Sequence, residues 1–209
     1  MDKAMINDAV EFVRNTFQDD HSGHDYFHTL RVYKMATRIA EQENADLMIV
    51  QLASLLHDVD DIKLSPETHA NKDRAAAFLR KHSISEAMIR TICDIIGEVS
   101  FRGTDFIVPK TIEGKCVQDA IGAIVIARAF AYGGSHNRII HAPEVKPTVN
   151  MNADEYQNHI STTINHFYEK LFRLRGLMNT DTAKKIAAQR EDYMKTYISE
   201  FLDEWDGIK

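Results

Sequence analysis

The chain has 209 residues, of which 44% are apolar, and a formal charge of −6. That is enough apolar material for a substantial core, and it excludes a largely disordered chain. The acidic balance argues against a protein that coats nucleic acid, and no stretch approaches the about 18 apolar residues of a membrane span.

Helical periodicity dominates, and alternating strand patterns are nearly absent, so an all-α fold is expected. The opening MDKAMINDAVEF lacks the basic and apolar regions of a secretion signal, which makes a cytoplasmic protein the expectation. The next stretch, GHDYFHTLRV, sets His28 at the start of a helix whose apolar stripe is Val32, Ala36, Ile39 and Ala40. Asp25 stands where an N-cap would. A second apolar helix ends in ASLLHDVDD, with His57 followed by Asp58, Asp60 and Asp61. A helix C-terminus carries partial negative charge, so acids gathered there call for a cation, either a lysine or a metal. His69 follows, as a pocket-lining or helix-capping residue.

Met88, Ile92, Ile95 and Ile96 form the stripe of another helix. Loops are predicted over 99–113 and 133–152, where Pro109, Pro143 and Pro147 fall. Between them, KCVQDAIGAIVIARAF puts Asp119 in a strongly apolar helix, where an unpaired carboxylate is costly. Ile160, Ile164, Phe167, Leu171 and Leu174 read as one long helix, and Ala183, Ala187, Met194, Ile198 and Phe201 as the last. Cys93 and Cys116 sit apart in apolar surroundings and are expected to be buried, reduced thiols. One domain over 1–209 is the simplest organisation, with a core about 20–135 and C-terminal helices 153–206 packing on it.

His28, His57, Asp58 and Asp119 together offer mixed imidazole and carboxylate ligation, which suits a divalent Mn, Mg, Ni, Fe or Zn ion. Neighbouring helix positions point about 100° apart, so His57 and Asp58 share one ion only at a helix end or bend. They stand at such an end.

At this point the chain resembles the HD-domain metal-dependent phosphohydrolases. It is most similar to a bacterial subgroup of about this length that carries GHDYxHxxRV, ALLHDxxD, AIGAIxIARxFAYGG and STTINHFYEKL, and all four patterns are visible here. The resemblance implies an all-α HD helical bundle with one divalent metal between helices. It also implies hydrolysis of a nucleotide or a related phosphate ester or pyrophosphate. There is one departure. The subgroup reads QDADRLDAIGAI where this chain reads QDAIGAI, five residues shorter, and its metal-binding aspartate is the one in ADRL. Five helical residues amount to about 7.5 Å of rise and about 140° of rotation. Either the sequence as read is incomplete there, or the chain lacks the residues. In the second case Asp119 takes the ligand role or the site is crippled.

Within this reading Asp58 belongs to the catalytic centre, and Asp61, three residues on, is the candidate general base; its alternative is an ion pair with Lys63. Arg31 shares a helix face with His28 and is the candidate phosphate clamp. Lys63 and His24 are further candidate substrate contacts, each with a plain solvent-facing alternative. Arg128 is either a contact or a surface residue. Asn165, His166 and Lys170 are expected to tie a helix across the core, with lining a pocket as the alternative. His82, His136, His141 and His159 receive no role. Coordinating histidines must be neutral, so metal binding should fade below about pH 6.5.

The competing functions are an HD-fold nucleotide-binding or regulatory protein without turnover, favoured by the shortened segment, and an oxygenase, which needs ligands for a second metal that the sequence does not supply. A sequence-specific nucleic-acid reader lacks its basic helix. A small phosphate substrate is the expected partner, with no membrane, and a homodimer is left open.

Overall fold

The computed structural model describes residues 2–18, 25–61, 65–98 and 120–209. All regular structure among them is helical, as the periodicity predicts. Contacts between Cα atoms divide the chain into two compact units, whose described parts fall within 2–98 and 120–209.

The first unit holds α1 (Asp2–Thr16), α2 (Tyr26–Gln42), α3 (Leu47–Leu56), α4 (Asp73–Lys81) and α5 (Glu86–Gly97). Helix α3 packs against α1, α2 and α5. It buries Val50, Leu52, Ala53, Leu55 and Leu56, covering most of its circumference, as a helix enclosed by neighbours must. Met5, Ala9 and Val13 supply the buried stripe of α1, and Phe12 stacks on Phe78 of α4 at 5.1 Å. The predicted stripe of α2 is buried throughout. In α5 the buried seam is Ile89, Ile92 and Ile96, while Met88 and Ile95 are only partly buried. An apolar face two residues wide reads equally well from either edge, and packing selects its centre.

Asp25 caps α2 through the His28 amide, as expected, and Asp46 caps α3 through the Ile49 amide at 3.1 Å. The caps fix where α2 and α3 begin, and so fix His28 in the first turn of one and His57 just past the last turn of the other. Cys93 is half-buried, and burial first, then nearby Asp60, pushes its thiol up, which suits a reduced structural residue.

The second unit holds α6 (Ala123–Ser135), α7 (Ala153–Asn158), α8 (Thr163–Glu169), a 3-10 helix (Leu171–Leu177) and α9 (Asp181–Trp205). The predicted face of α9 is buried from Ala183 to Ile198. Phe130 of α6 gathers Phe167, Tyr197 and Phe201 within 6.3 Å of its ring centre. Gly133 of α6 lies so close to α8 that any Cβ there would collide with the Thr163 hydroxyl.

Two sequence expectations are corrected here. The stripe from Ile160 to Leu174 is not one helix. Thr162 caps α8, and the Thr163 and Ile164 amides donate to the Ile139 and Ile140 carbonyls at 2.9 and 3.0 Å. These bonds end the helix on its N-terminal side and leave Ile160 outside it, 88% exposed. After Lys170 the chain tightens to a 3-10 turn that still buries Leu171 and Leu174. The second correction concerns α6, which starts only at Ala123. Its N-cap, Gly122, has φ +106, a conformation that favours glycine and halts backward extension of the helix. The Gly122 amide donates to Met194 Sδ at 2.8 Å instead. Asp119, Lys63, His24, Cys116 and Pro109 lie outside the described residues, as does the chain path through Gln118. Among the described residues no helix is long and apolar enough to cross a membrane.

Candidate metal centre

Three side chains of the first unit converge: His28 and His57, and Asp58 between them. Asp58 Oδ2 lies 2.8 Å from His57 Nε2 and 3.2 Å from His28 Nε2, and the two nitrogens are 3.3 Å apart. All three residues are buried, with no more than 5% of their surface exposed. His57 is the C-cap of α3, so the chain turns directly after it and Asp58 folds back beside its neighbour's ring. That is the helix-end geometry the adjacent pair requires.

One proton of His57 can be placed from its second nitrogen. Nδ1 lies 2.8 Å from the Ser54 carbonyl, which can only accept, so Nδ1 carries a proton. Nε2, 2.8 Å from a carboxylate oxygen, then either shares a bound cation with it through its lone pair, in the neutral ring, or donates a proton to it, in the imidazolium. A divalent ion calls for the first arrangement. Ligands about 2.1 Å from one ion stand about 3.0–3.4 Å apart in octahedral or tetrahedral arrangements. Two sides of the observed triangle, 3.2 and 3.3 Å, fall in that span and the third, 2.8 Å, is slightly shorter, and the donor set suits a divalent transition metal or zinc. The Ser54 carbonyl fixes the orientation of the His57 ring.

The other acids of the cluster separate from this site. Asp60 is 1% exposed, and its two carboxylate oxygens accept from the Arg74 and Ala75 amides at 3.1 and 3.0 Å. It caps α4 from outside, because the residue in the N-cap position, Lys72, is left-handed and makes no side-chain cap. Arg74 in turn donates to the Val59 carbonyl at 3.3 Å and to Ser65 Oγ at 2.8 Å. His69 Nδ1 sits 2.7 Å from the Asp60 carbonyl and braces the turn through it. Sequence reasoning missed Asp60 and Arg74. An acid four residues past the end of α3, with α4 starting thirteen residues on, is a signal that only the fold makes legible.

Asp61 is half-buried one turn after Asp58, and Arg31 is half-buried one turn after His28 on α2. Asp119, the fourth candidate ligand, and Lys63 and His24, the further substrate candidates, are outside the described residues. Of the C-terminal trio, Asn165 is structural: it is buried and its Nδ2 donates to the Val145 carbonyl at 2.8 Å. His166 and Lys170 line a cavity of the second unit together with Arg128.

Comparison with known proteins supplies the family. The HD domain model matches residues 25–120. The uncharacterized protein YpgQ of Bacillus subtilis is 33% identical over 204 residues, covering 94% of this chain and 92% of that protein. A crystal structure of an HD-superfamily hydrolase from Bacillus thuringiensis is 34% identical, covers 99% of both chains and superposes with a TM-score of 0.80. The crystal structure of YpgQ in complex with ADP is 32% identical, covers 98% of this chain and all of that one, and has a TM-score of 0.77. With its all-helical fold, its HD pair at the end of α3 and an end-to-end relative, this chain belongs to the HD-domain family.

Proposed function

We propose that the chain is a divalent-metal-dependent phosphohydrolase acting on a nucleotide. The observation that carries this reading is the buried His28–His57–Asp58 triangle, whose proton placement and spacing suit a metal ion. The ADP complex of YpgQ supports a nucleotide as the ligand class. His28, His57 and Asp58 would hold the ion, with Asp119 as the candidate for a fourth ligand. When bound, such an ion acidifies a water molecule and offsets charge on a phosphoryl group.

The chain's own residues then have distinct tasks. Asp61 accepts a proton from the attacking water as the new P–O bond forms and the bond to the leaving oxygen breaks. Arg31 holds a non-bridging phosphate oxygen with its planar guanidinium. Lys63 and His24 are proposed as further phosphate contacts. A second reading, a nucleotide-binding regulator without turnover, is favoured by one observation: α6 begins only at Ala123, in a segment five residues shorter than the subgroup pattern.

The test is release of phosphate and pyrophosphate from a nucleotide panel with Mn²⁺, Mg²⁺, Ni²⁺ or no metal, beside a His57→Ala control. Metal-dependent release that the control lacks supports the hydrolase. Bound nucleotide with no release under any metal selects the regulator.

A further inference from the structure

Helix α9 outruns its own core. Its last buried residue is Ile198, and two further turns continue to Trp205. Those turns are not polar: Phe201 and Leu202 are half-buried, and Trp205 and, just beyond it, Ile208 are exposed, Trp205 by 48%. The chain after α6 lies against them. The His141 ring stands edge-on to Trp205 and Phe201, with centres 5.2 and 6.4 Å apart, and Phe201 stacks on Trp205 at 5.7 Å. Ile139 and Ile140, immediately before His141, are 62% and 49% exposed. Among the described residues of the first unit, the exposed large apolar side chains are Phe27 and Leu47, well apart in sequence. The gathering at the end of α9 is denser than the single scatter expected on a protein surface, and such patches mark contact sites.

The surrounding charge selects what can cover it. Residues 200–209 hold four carboxylates, Glu200, Asp203, Glu204 and Asp206, against the one ammonium of Lys209, a formal −3. Lys209 is engaged within the group, with Glu200 at 2.6 Å and Asp203 at 3.1 Å. The C-terminus of α9 adds its own partial negative charge. Arg138, the cation next to Ile139, lies over the Tyr132 ring at 5.8 Å. A second copy would bring the same acids to the same place, and an anionic membrane or a nucleic-acid strand would be repelled in the same way. We propose that this surface docks a basic amphipathic helix of a partner protein. Its apolar stripe covers Trp205, Ile139 and Ile140, and its lysines or arginines meet Glu204 and Asp206. Tryptophan is among the residues that most often anchor such interfaces, and an apolar helix face on an apolar surface is a recurring mode of recognition. The docking needs neither metal nor turnover.

The test is titration of the full chain with two synthetic amphipathic helical peptides, one of leucine and lysine and one of leucine and glutamate. Trp205 is the single tryptophan of the chain, so its emission reports on the surface directly. The lysine peptide should bind saturably and shift that emission to shorter wavelength; the glutamate peptide should do neither. Binding should weaken with added salt. By calorimetry, Trp205→Ala and Glu204→Lys should each weaken the lysine peptide about tenfold or more. Asp8→Lys makes the same change of net charge at an exposed position of α1 and should leave binding unchanged, which separates a local surface from the acidity of the whole chain. Thermal melts identify any variant that fails to fold. The proposal is overturned if the lysine peptide does not bind, if it binds without moving the Trp205 emission, if the glutamate peptide binds equally, or if Asp8→Lys costs as much as Glu204→Lys. It is overturned too if analytical ultracentrifugation shows a dimer that Trp205→Ala abolishes, since a second copy would then be the occupant.

Discussion

Asp58 in the first unit and Glu169 in the second are both buried carboxylates, 2% and 3% exposed, yet they are set among different kinds of neighbour. Glu169 accepts from a hydroxyl and a backbone amide, and His159 Nε2 lies 3.0 Å from it. That surrounding satisfies an anion and asks for nothing more. Asp58 faces two imidazole nitrogens, one of which has its proton pinned on the far side of the ring by a carbonyl. One carboxylate set against two imidazoles that also face each other is a place where a shared cation fits. Burial is common to both, so burial does not distinguish a structural acid from a candidate ligand; the number and kind of the partners do.

The contrast can be broken most sharply at His57. His57→Ala should reduce bound divalent metal and metal-dependent phosphate release by more than about a hundredfold, exceeding the loss typical of outer-shell changes. Metal content and release measured on the same sample would check it, and retained metal would place the ion elsewhere. Next in size is Asp60→Ala, which leaves two α4 amides without their acceptor and should cost about 2 kcal/mol in a urea melt. If instead it abolished metal binding with stability intact, Asp60 would be a ligand and the division of the acid cluster would be wrong. In the second unit, Gly133→Ala forces a Cβ onto Thr163 and should destabilise by about 1–3 kcal/mol. The Gly133→Ala, Thr163→Ser double variant would leave that clash in place, since the hydroxyl remains. Asp25→Ala should cost about 1 kcal/mol through the lost cap of α2.

The last expectation is a direction in pH. The folded state holds His166 at about 3, below its ordinary 6.5, so between those values the unfolded chain binds the extra proton. Its contribution to stability is therefore present above about pH 6.5 and is lost as pH falls toward 3. A His166→Gln variant should flatten that part of the pH–stability curve.

The all-helical fold and the His28–His57–Asp58 site were legible in the sequence for a physical reason. Helix periodicity is written along one dimension, and an acid cluster at a helix end is an electrostatic anomaly visible without coordinates. The long helix read through Ile160 was not so legible, because Thr162 and the Ile139 and Ile140 carbonyls stop it through contacts from more than twenty residues away. The contacts of His159 and Asp60 were missed for the same reason: each depends on partners brought in by tertiary packing. The Ile89 seam shows a milder form, in which pattern gives the face and packing its centre.

Asp60 carries one more consequence. Its backbone belongs to the turn that holds Asp58, and its side chain holds the first amides of α4. Those amides can be released to solvent only when Asp60 lets go. Hydrogen exchange at Arg74 and Ala75 should therefore slow when metal is added, reporting the rigidity of the ligand turn from the start of the next helix.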